Sequence, residues 1–215
     1  MARDTLNICA DRFRRAAMLA SDDPGKPPAL HGVRVETCRD GGVILVATNG
    51  AGLVAIRDPL GYSSFGDVTL TIDRATLKAC KPSRATGKHP RLVIRDRRVV
   101  VLNSAGDVLH TQAAFPTLEA QAYPDWRRCL PRGAAGPDAK PCDATFNPRV
   151  LTKLADALAD PLHRREETVW VELFSTNEDG APALAIGALL DAFGVAMPLR
   201  AGYRAAMFPS WAGQG

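Results

Sequence analysis

No Cys-x-x-Cys pair occurs in this chain, and its five cysteines, Cys9, Cys38, Cys80, Cys129 and Cys142, are widely spread and odd in number. A disulfide framework is therefore not expected, and the pattern fits a reducing, cytoplasmic compartment. The histidines His31, His89, His110 and His163 are equally scattered, without the spacing of a metal site, so no metal is expected. No run approaches the ~20 apolar residues of a membrane span. The opening MARDTLNICADRFRR lacks the apolar core of a secretory signal. There is no nucleophile–base spacing and no glycine-rich phosphate loop, so neither enzymatic chemistry nor a cofactor is expected. The acid pairs Asp22/Asp23 and Glu166/Glu167 fall in polar stretches and read as solvated.

What is present is an ordinary globular composition. The 215 residues are 46% hydrophobic and 23% charged, enough for one large domain or two small ones. A chain of this size buries roughly 70% of its unfolded surface. The net charge of +4 permits contact with nucleic acid without establishing it, so the placement of the basic residues decides.

Hydrophobic periodicity divides the chain into repeated segments. Residues 6–20 predict a helix, after a short strand, with Cys9, Phe13, Ala16, Ala17 and Ala20 on one face. SDDPGKPP, 21–28, is a loop, and strands follow over 32–37, 43–48 and 53–57. The last two are joined by Asn49-Gly50-Ala51-Gly52. The order recurs: a strand over 68–72, a helix capped by Asp73 and running to Lys81, then strands over 91–94, 99–102 and 109–115. PRGAAGPDAKP, 131–141, reads as a linker. Beyond it come a strand over 143–146, a helix capped by Asn147 with Pro148 at its first position, and strands over 169–174, 183–186 and 193–199. The third helix has Val150, Leu151, Leu154 and Leu158 on one face. The expected fold is α+β: about three β-α-β-β-β units with helices on one face of antiparallel sheets. The expected division is a two-unit domain over 1–130, a linker over 131–142, a one-unit domain over 143–200 and an apolar tail over 201–215.

Each helix also carries basic residues. These are Arg12, Arg14 and Arg15 on the first, Arg74, Lys78 and Lys81 on the second, and Arg149 and Lys153 on the third. Helices that lined one surface in this way would meet phosphates without reading bases. The plainer reading is that Arg and Lys solvate exposed helix faces.

Three stretches, LHGVRVE…GGVILVATNGAGLVAI, YPDWRRCLP and FNPRVLTKLADAL…VAMPLR, occur in this order. They resemble LNGVxxE…LxxVATDGHRLA, FPDYRRVLP and FNxxYLxxxLxAL…xxMPMR of the bacterial sliding clamp, the beta subunit of DNA polymerase III. The resemblance spans roughly residues 5–200. It implies a ring-forming, DNA-clamp-like fold with helices facing duplex DNA. It also implies a hydrophobic cleft for short linear peptides of polymerase- and clamp-loader-type partners. Carried over position by position, that cleft comprises Thr48, Gly50 and Leu53; Pro124, Arg128 and Cys129; and Val195, Ala196, Met197, Pro198, Leu199 and Arg200. The family's DGHR reads Asn49-Gly50-Ala51-Gly52 here, which leaves one cleft wall smaller and uncharged. The family's paired tyrosines read Pro28-Ala29. Counterparts of the family's first domain and of half its last are not seen, and those carry the ring interface. Three units per chain would make a twelve-unit homo-oligomeric ring from four chains. The alternative is a clamp-like interaction module, carried by a mobile element, that binds clamp partners or the host clamp without encircling DNA. The tail residues Tyr203, Met207, Phe208 and Trp211 extend the body or, in the sharper reading, cover the cleft or a neighbouring chain.

Overall fold

Burial changes period at Cys9. Leu6 and Ile8 are buried at alternate positions in strand β1 (Leu6–Cys9), whereas Ala10, Phe13 and Ala16 follow a helical spacing in α1 (Ala10–Ala17). The helix expected over 6–20 is thus shorter, with a strand supplying its first residues. The computed structural model describes residues 5–84, 86–95, 98–112, 123–130, 140–141, 144–159, 171–175 and 182–199.

The first unit continues with β2 (Val33–Thr37), β3 (Val43–Thr48) and β4 (Gly52–Asp58), followed by the unanticipated two-residue strand β5 (Tyr62–Ser63). The second unit is β6 (Val68–Leu70), α2 (Arg74–Ala79), β7 (Arg91–Arg95), β8 (Arg98–Leu102) and β9 (Val108–Gln112). The third is β10 (Lys140–Pro141), α3 (Pro148–Leu158), β11 (Glu172–Ser175), β12 (Ala183–Ile186) and β13 (Ala192–Ala196). The α+β class and the threefold β-α-β-β-β order are as expected.

The strands form two antiparallel sheets, β5-β1-β7-β8-β9 and β10-β11-β12-β13-β4-β3-β2-β6. The first two units exchange their leading strands: β1 completes the sheet of β7–β9, and β6 borders β2. The third unit joins the first edge to edge through β13 and β4, with Val195 opposite Leu53 and Ala196 opposite Gly52. The sequence boundary near 131–142 is therefore bridged in space by one continuous sheet; most of that linker lies outside the described residues. Two expected strands are corrected. Of the described residues 144–146, only Phe146 pairs, in a single bridge to Pro198, and position 143 lies outside the described residues. The strand expected over 193–199 stops at Ala196, because Pro198 has no N–H to continue a ladder.

Both capping predictions correspond to observed bonds. The Asp73 carboxylate accepts from the Thr76 amide at 2.7 Å, which holds its pKa below the usual carboxylate range, and Asn147 accepts from the Arg149 amide at 3.0 Å. One apolar core runs from Leu6 to Ala196 and includes Phe13, Leu19, Leu45, Ile56, Leu154 and Leu158. Helix α3 lies unusually close to its sheet. A Cβ at Gly52 would come within 2.6 Å of Val150, at Gly194 within 2.5 Å of Leu154, and at Gly187 within 2.7 Å of Leu158. Each turn of the helix's buried edge therefore faces a glycine, whose missing side chain permits the approach.

Candidate functional site

The turn 49–52 is closed by its own residues. Asn49 Oδ1 accepts from the amides of Ala51 at 2.9 Å and Gly52 at 3.0 Å, and Gly50 takes a φ of 86° that suits glycine. Thr48 Oγ1 donates to the Gly52 carbonyl at 2.8 Å. The amide of Met197 donates to the Ala51 carbonyl at 2.9 Å, tying the end of β13 to this turn. Thr48, Gly50, Leu53, Val195, Met197, Pro198 and Leu199 thus gather at one end of the eight-stranded sheet. Gly52 is explained here: its open side faces the helices, where a larger residue would strike Val150 and Leu19.

The segment 123–130 lies on the outer face of the same sheet. Trp126 is 5% exposed in a small cluster with Val46, Leu53, Ala55 and Val195, bordered by Tyr123, Leu130 and Phe193. Its ring sits 6.0 Å from that of Phe193, and its Nε1 donates to Glu36 at 3.1 Å. Arg127 donates to the other Glu36 oxygen at 2.7 Å and lies over the indole at 4.2 Å. Burial raises the Tyr123 pKa, and its hydroxyl points at the Val46 carbonyl. Leu53 and Val195 are therefore the floor beneath Trp126 rather than an open wall. Gly50, Pro124, Arg128, Cys129, Met197 and Leu199 are exposed, and Pro198 is half-buried. Ala196 is a correction: strand alternation turns it inward to the main core, opposite in sense to Val195. Arg200 and the tail 201–215 lie outside the described residues. Sequence reasoning passed over Trp126, Phe193 and Glu36. The period-two pattern of AFGVA, which sets Phe193 and Val195 on one face, was the available signal.

The basic helices differ sharply. Helix α1 has no free cationic face, which corrects the expectation for Arg12, Arg14 and Arg15. Arg14 and Arg15 both hold the buried Asp11 carboxylate, at 2.7 and 2.8 Å. Arg15 is 7% exposed, and its Nη1 donates to the carbonyls of Asp156 at 2.9 Å and Ala159 at 2.7 Å. It thereby caps the C-terminus of α3, where a cation is favoured. Arg12 donates to the Arg57 carbonyl and to Asp191. The cause is position: α1 packs against both sheets and α3, so its polar flank is itself an internal contact. On α2, by contrast, Arg74, Lys78 and Lys81 are exposed, as are Arg84 and Lys88 in the following loop. Among the described residues none of these five enters an ion pair. On α3, Arg149 is exposed and Lys153 half-buried.

Among the described residues the cysteines Cys9, Cys38, Cys80 and Cys129 are all free thiols. Burial pushes the Cys80 thiol up to about 12 and raises that of Cys9, whereas Cys129 is exposed. A thiol held protonated is a poor nucleophile. Iodoacetamide at mildly alkaline pH should therefore label Cys129 well before Cys80, and mass mapping after a brief pulse checks this. Equal labelling would contradict the buried placement of Cys80. Among the described residues no group of three or more His, Cys, Asp or Glu could hold a metal, and no helix is long and apolar enough to cross a membrane.

No protein-family model and no curated protein sequence matches the chain. Solved structures do. A DNA polymerase sliding clamp from Pseudomonas aeruginosa with ligand aligns at a TM-score of 0.56 and 14% identity, over 93% of this chain and 67% of that one. Caulobacter crescentus pol III beta aligns at 0.59 and 16%, over 93% and 68%. The Helicobacter pylori beta clamp bound to a DNA ligase peptide aligns at 0.61 and 14%, over 93% and 66%. Across a span of about two thirds of their length, the chain has the fold of the bacterial DNA polymerase sliding clamps.

Proposed function

We propose that the protein is a sliding-clamp-like processivity factor of DNA replication. It holds duplex DNA without reading its sequence, and it recruits polymerase- or clamp-loader-type proteins through short peptides. In this reading the chain works as a two-unit domain over 1–130 and a one-unit domain over 143–200. The observation that carries the proposal is the convergence of three distant stretches, 48–53, 123–130 and 195–199, around one outer face. The β13–β4 ladder and the Trp126 cluster bring them together. Exposed Met197 and Leu199, just beyond the strand whose Val195 lies in the Trp126 cluster, offer apolar surface suited to the leucine and aromatic anchors of a short peptide. The DNA ligase peptide on the similar Helicobacter pylori clamp supports this ligand class. The α2 cations supply the phosphate-facing charge, and binding rather than catalysis is the work of both surfaces.

Fluorescence anisotropy with a labelled duplex tests the DNA half: affinity should fall steeply with salt, and no affinity at low salt would overturn it. For the cleft, Met197→Glu with Leu199→Glu should weaken an anchor-bearing ligase-type peptide by about tenfold. Both positions are exposed, so thermal stability should hold. Unchanged peptide affinity would remove the cleft from the reading.

A second reading is an interaction module that binds clamp partners or a host clamp without encircling DNA. The internal pairing of the α1 arginines favours it. It predicts peptide binding with no measurable duplex affinity.

A further inference from the structure

The two sheets end on four strands of unequal length. β5 has two residues and β6 has three, whereas β9 has five. Short edges are a common protection against unwanted pairing, and β9 lacks that protection. Among the described residues no strand lies on its far side.

We propose that β9 is a self-association edge, which pairs antiparallel with β9 of a second copy of this chain. The molecule contains the precedent. β4, β9 and β13 are the last strands of their units, and two of them, β4 and β13, already pair with each other antiparallel over five residue pairs. β9 is the equivalent strand left over, and its five residues match that length. Its sequence, Val108-Leu109-His110-Thr111-Gln112, has no Asp, Glu, Lys or Arg, so a twofold contact opposes no permanent like charges. Val108 is 60% exposed, and with Thr111 it borders an open hollow whose other lining residues, Arg95, Arg98 and Val100, belong to β7 and β8. The β-bulge sits toward the hairpin, between Val101 and Leu102. Gln112, Thr111 and His110 stay in plain register with Val99, Val100 and Val101. At the β4–β13 seam the flanking helices α1 and α3 touch; α2 rests on β9 in the corresponding place. A β9–β9 dimer would therefore set two α2 helices beside its axis and join their cationic faces.

The proposal goes beyond the function above, since it requires neither duplex nor peptide. Light scattering of the full chain, without DNA and at high salt, should give twice the 23.0 kDa of one chain. In concentrated protein, hydrogen exchange should show protection of the alternate amides of 109–112 that point away from β8, and their release on dilution. The exposed double substitution Val108→Lys/Thr111→Lys should raise the dimer dissociation constant by at least about tenfold. Tyr62→Lys, on the two-residue edge β5, should leave it unchanged. A monomer at the highest soluble concentration would overturn the proposal. So would a dimer indifferent to Val108→Lys/Thr111→Lys, or one whose β9 amides exchange at the same rate at every concentration.

Discussion

If the protein holds duplex DNA as proposed, replacing Arg74, Lys78 and Lys81 together with glutamate should abolish that binding while leaving the fold intact. The three stand at i, i+4 and i+7, on one exposed face of α2 and its end, and none is paired among the described residues. Each reversal changes the charge by two, so the formal net charge passes from +4 to −2 (4 − 6). If each cation neutralises one phosphate, the slope of log affinity against log salt should fall by about three, and affinity at moderate salt by roughly a hundredfold or more. Stability should move by no more than about 0.5 kcal/mol, the usual range for exposed positions. Glutamate in place of Arg74, next to the Asp73 cap, even suits the helix N-terminus. The matching reversal of Arg149 and Lys153 should have a smaller effect, since Lys153 is half-buried. Undiminished binding by the α2 variant would move the DNA contact off this helix.

The helices themselves were easily read. Phe13 and Ala16, or Val150, Leu154 and Leu158, announce their faces by spacing, and Asp73 and Asn147 announce the starts. Strand alternation was equally plain in Val33–Thr37. What the sequence does not carry is pairing between units. Nothing local to Leu6–Cys9 says that it will join β7 rather than β2, or that Ala192–Ala196 will meet β4, because those choices are made by long-range packing. The glycines at 52, 187 and 194 look like turn punctuation, yet their role is the close seat of α3.

The candidate cleft was located from motif resemblance, and the structure sets two of its residues, Leu53 and Val195, opposite each other beneath Trp126 rather than in an open wall. Motif positions rank residues by place in a pattern, whereas the structure ranks them by what covers them. Trp126 covers Leu53 and Val195 because Glu36 on a neighbouring strand fixes both the indole N–H and Arg127. The basic residues failed in the same way. Arg12, Arg14 and Arg15 look like Arg74, Lys78 and Lys81 in a sequence. Only tertiary contact separates arginines that close a helix junction from cations left to solvent.

That distinction can be tested on one carboxylate. Asp11 is 4% exposed; its Oδ1 accepts from Arg14 and its Oδ2 from Arg15. Asp11→Ala leaves the Arg15 guanidinium, itself 7% exposed, without a counter-charge. Removing one partner of a buried pair costs about 3–5 kcal/mol. The carbonyls of Asp156 and Ala159 still receive the Arg15 Nη1 protons, and the α3 C-terminus favours a cation. The cost should therefore sit near the low end, about 3 kcal/mol, lowering the melting temperature on the order of 10 °C for a chain this long. Adding Arg15→Leu to Asp11→Ala should give a loss smaller than the sum of the two single losses, because the residues are coupled. If α1 were instead a solvated cationic face, Asp11→Ala would change stability by no more than about 0.5 kcal/mol, a melting-temperature shift of about 1–2 °C. It would then tighten duplex binding by removing a negative charge. Calorimetry and anisotropy on the same variant separate the outcomes: an early melt supports the internal junction, and an unchanged melt with tighter DNA binding restores α1 to the DNA-facing surface.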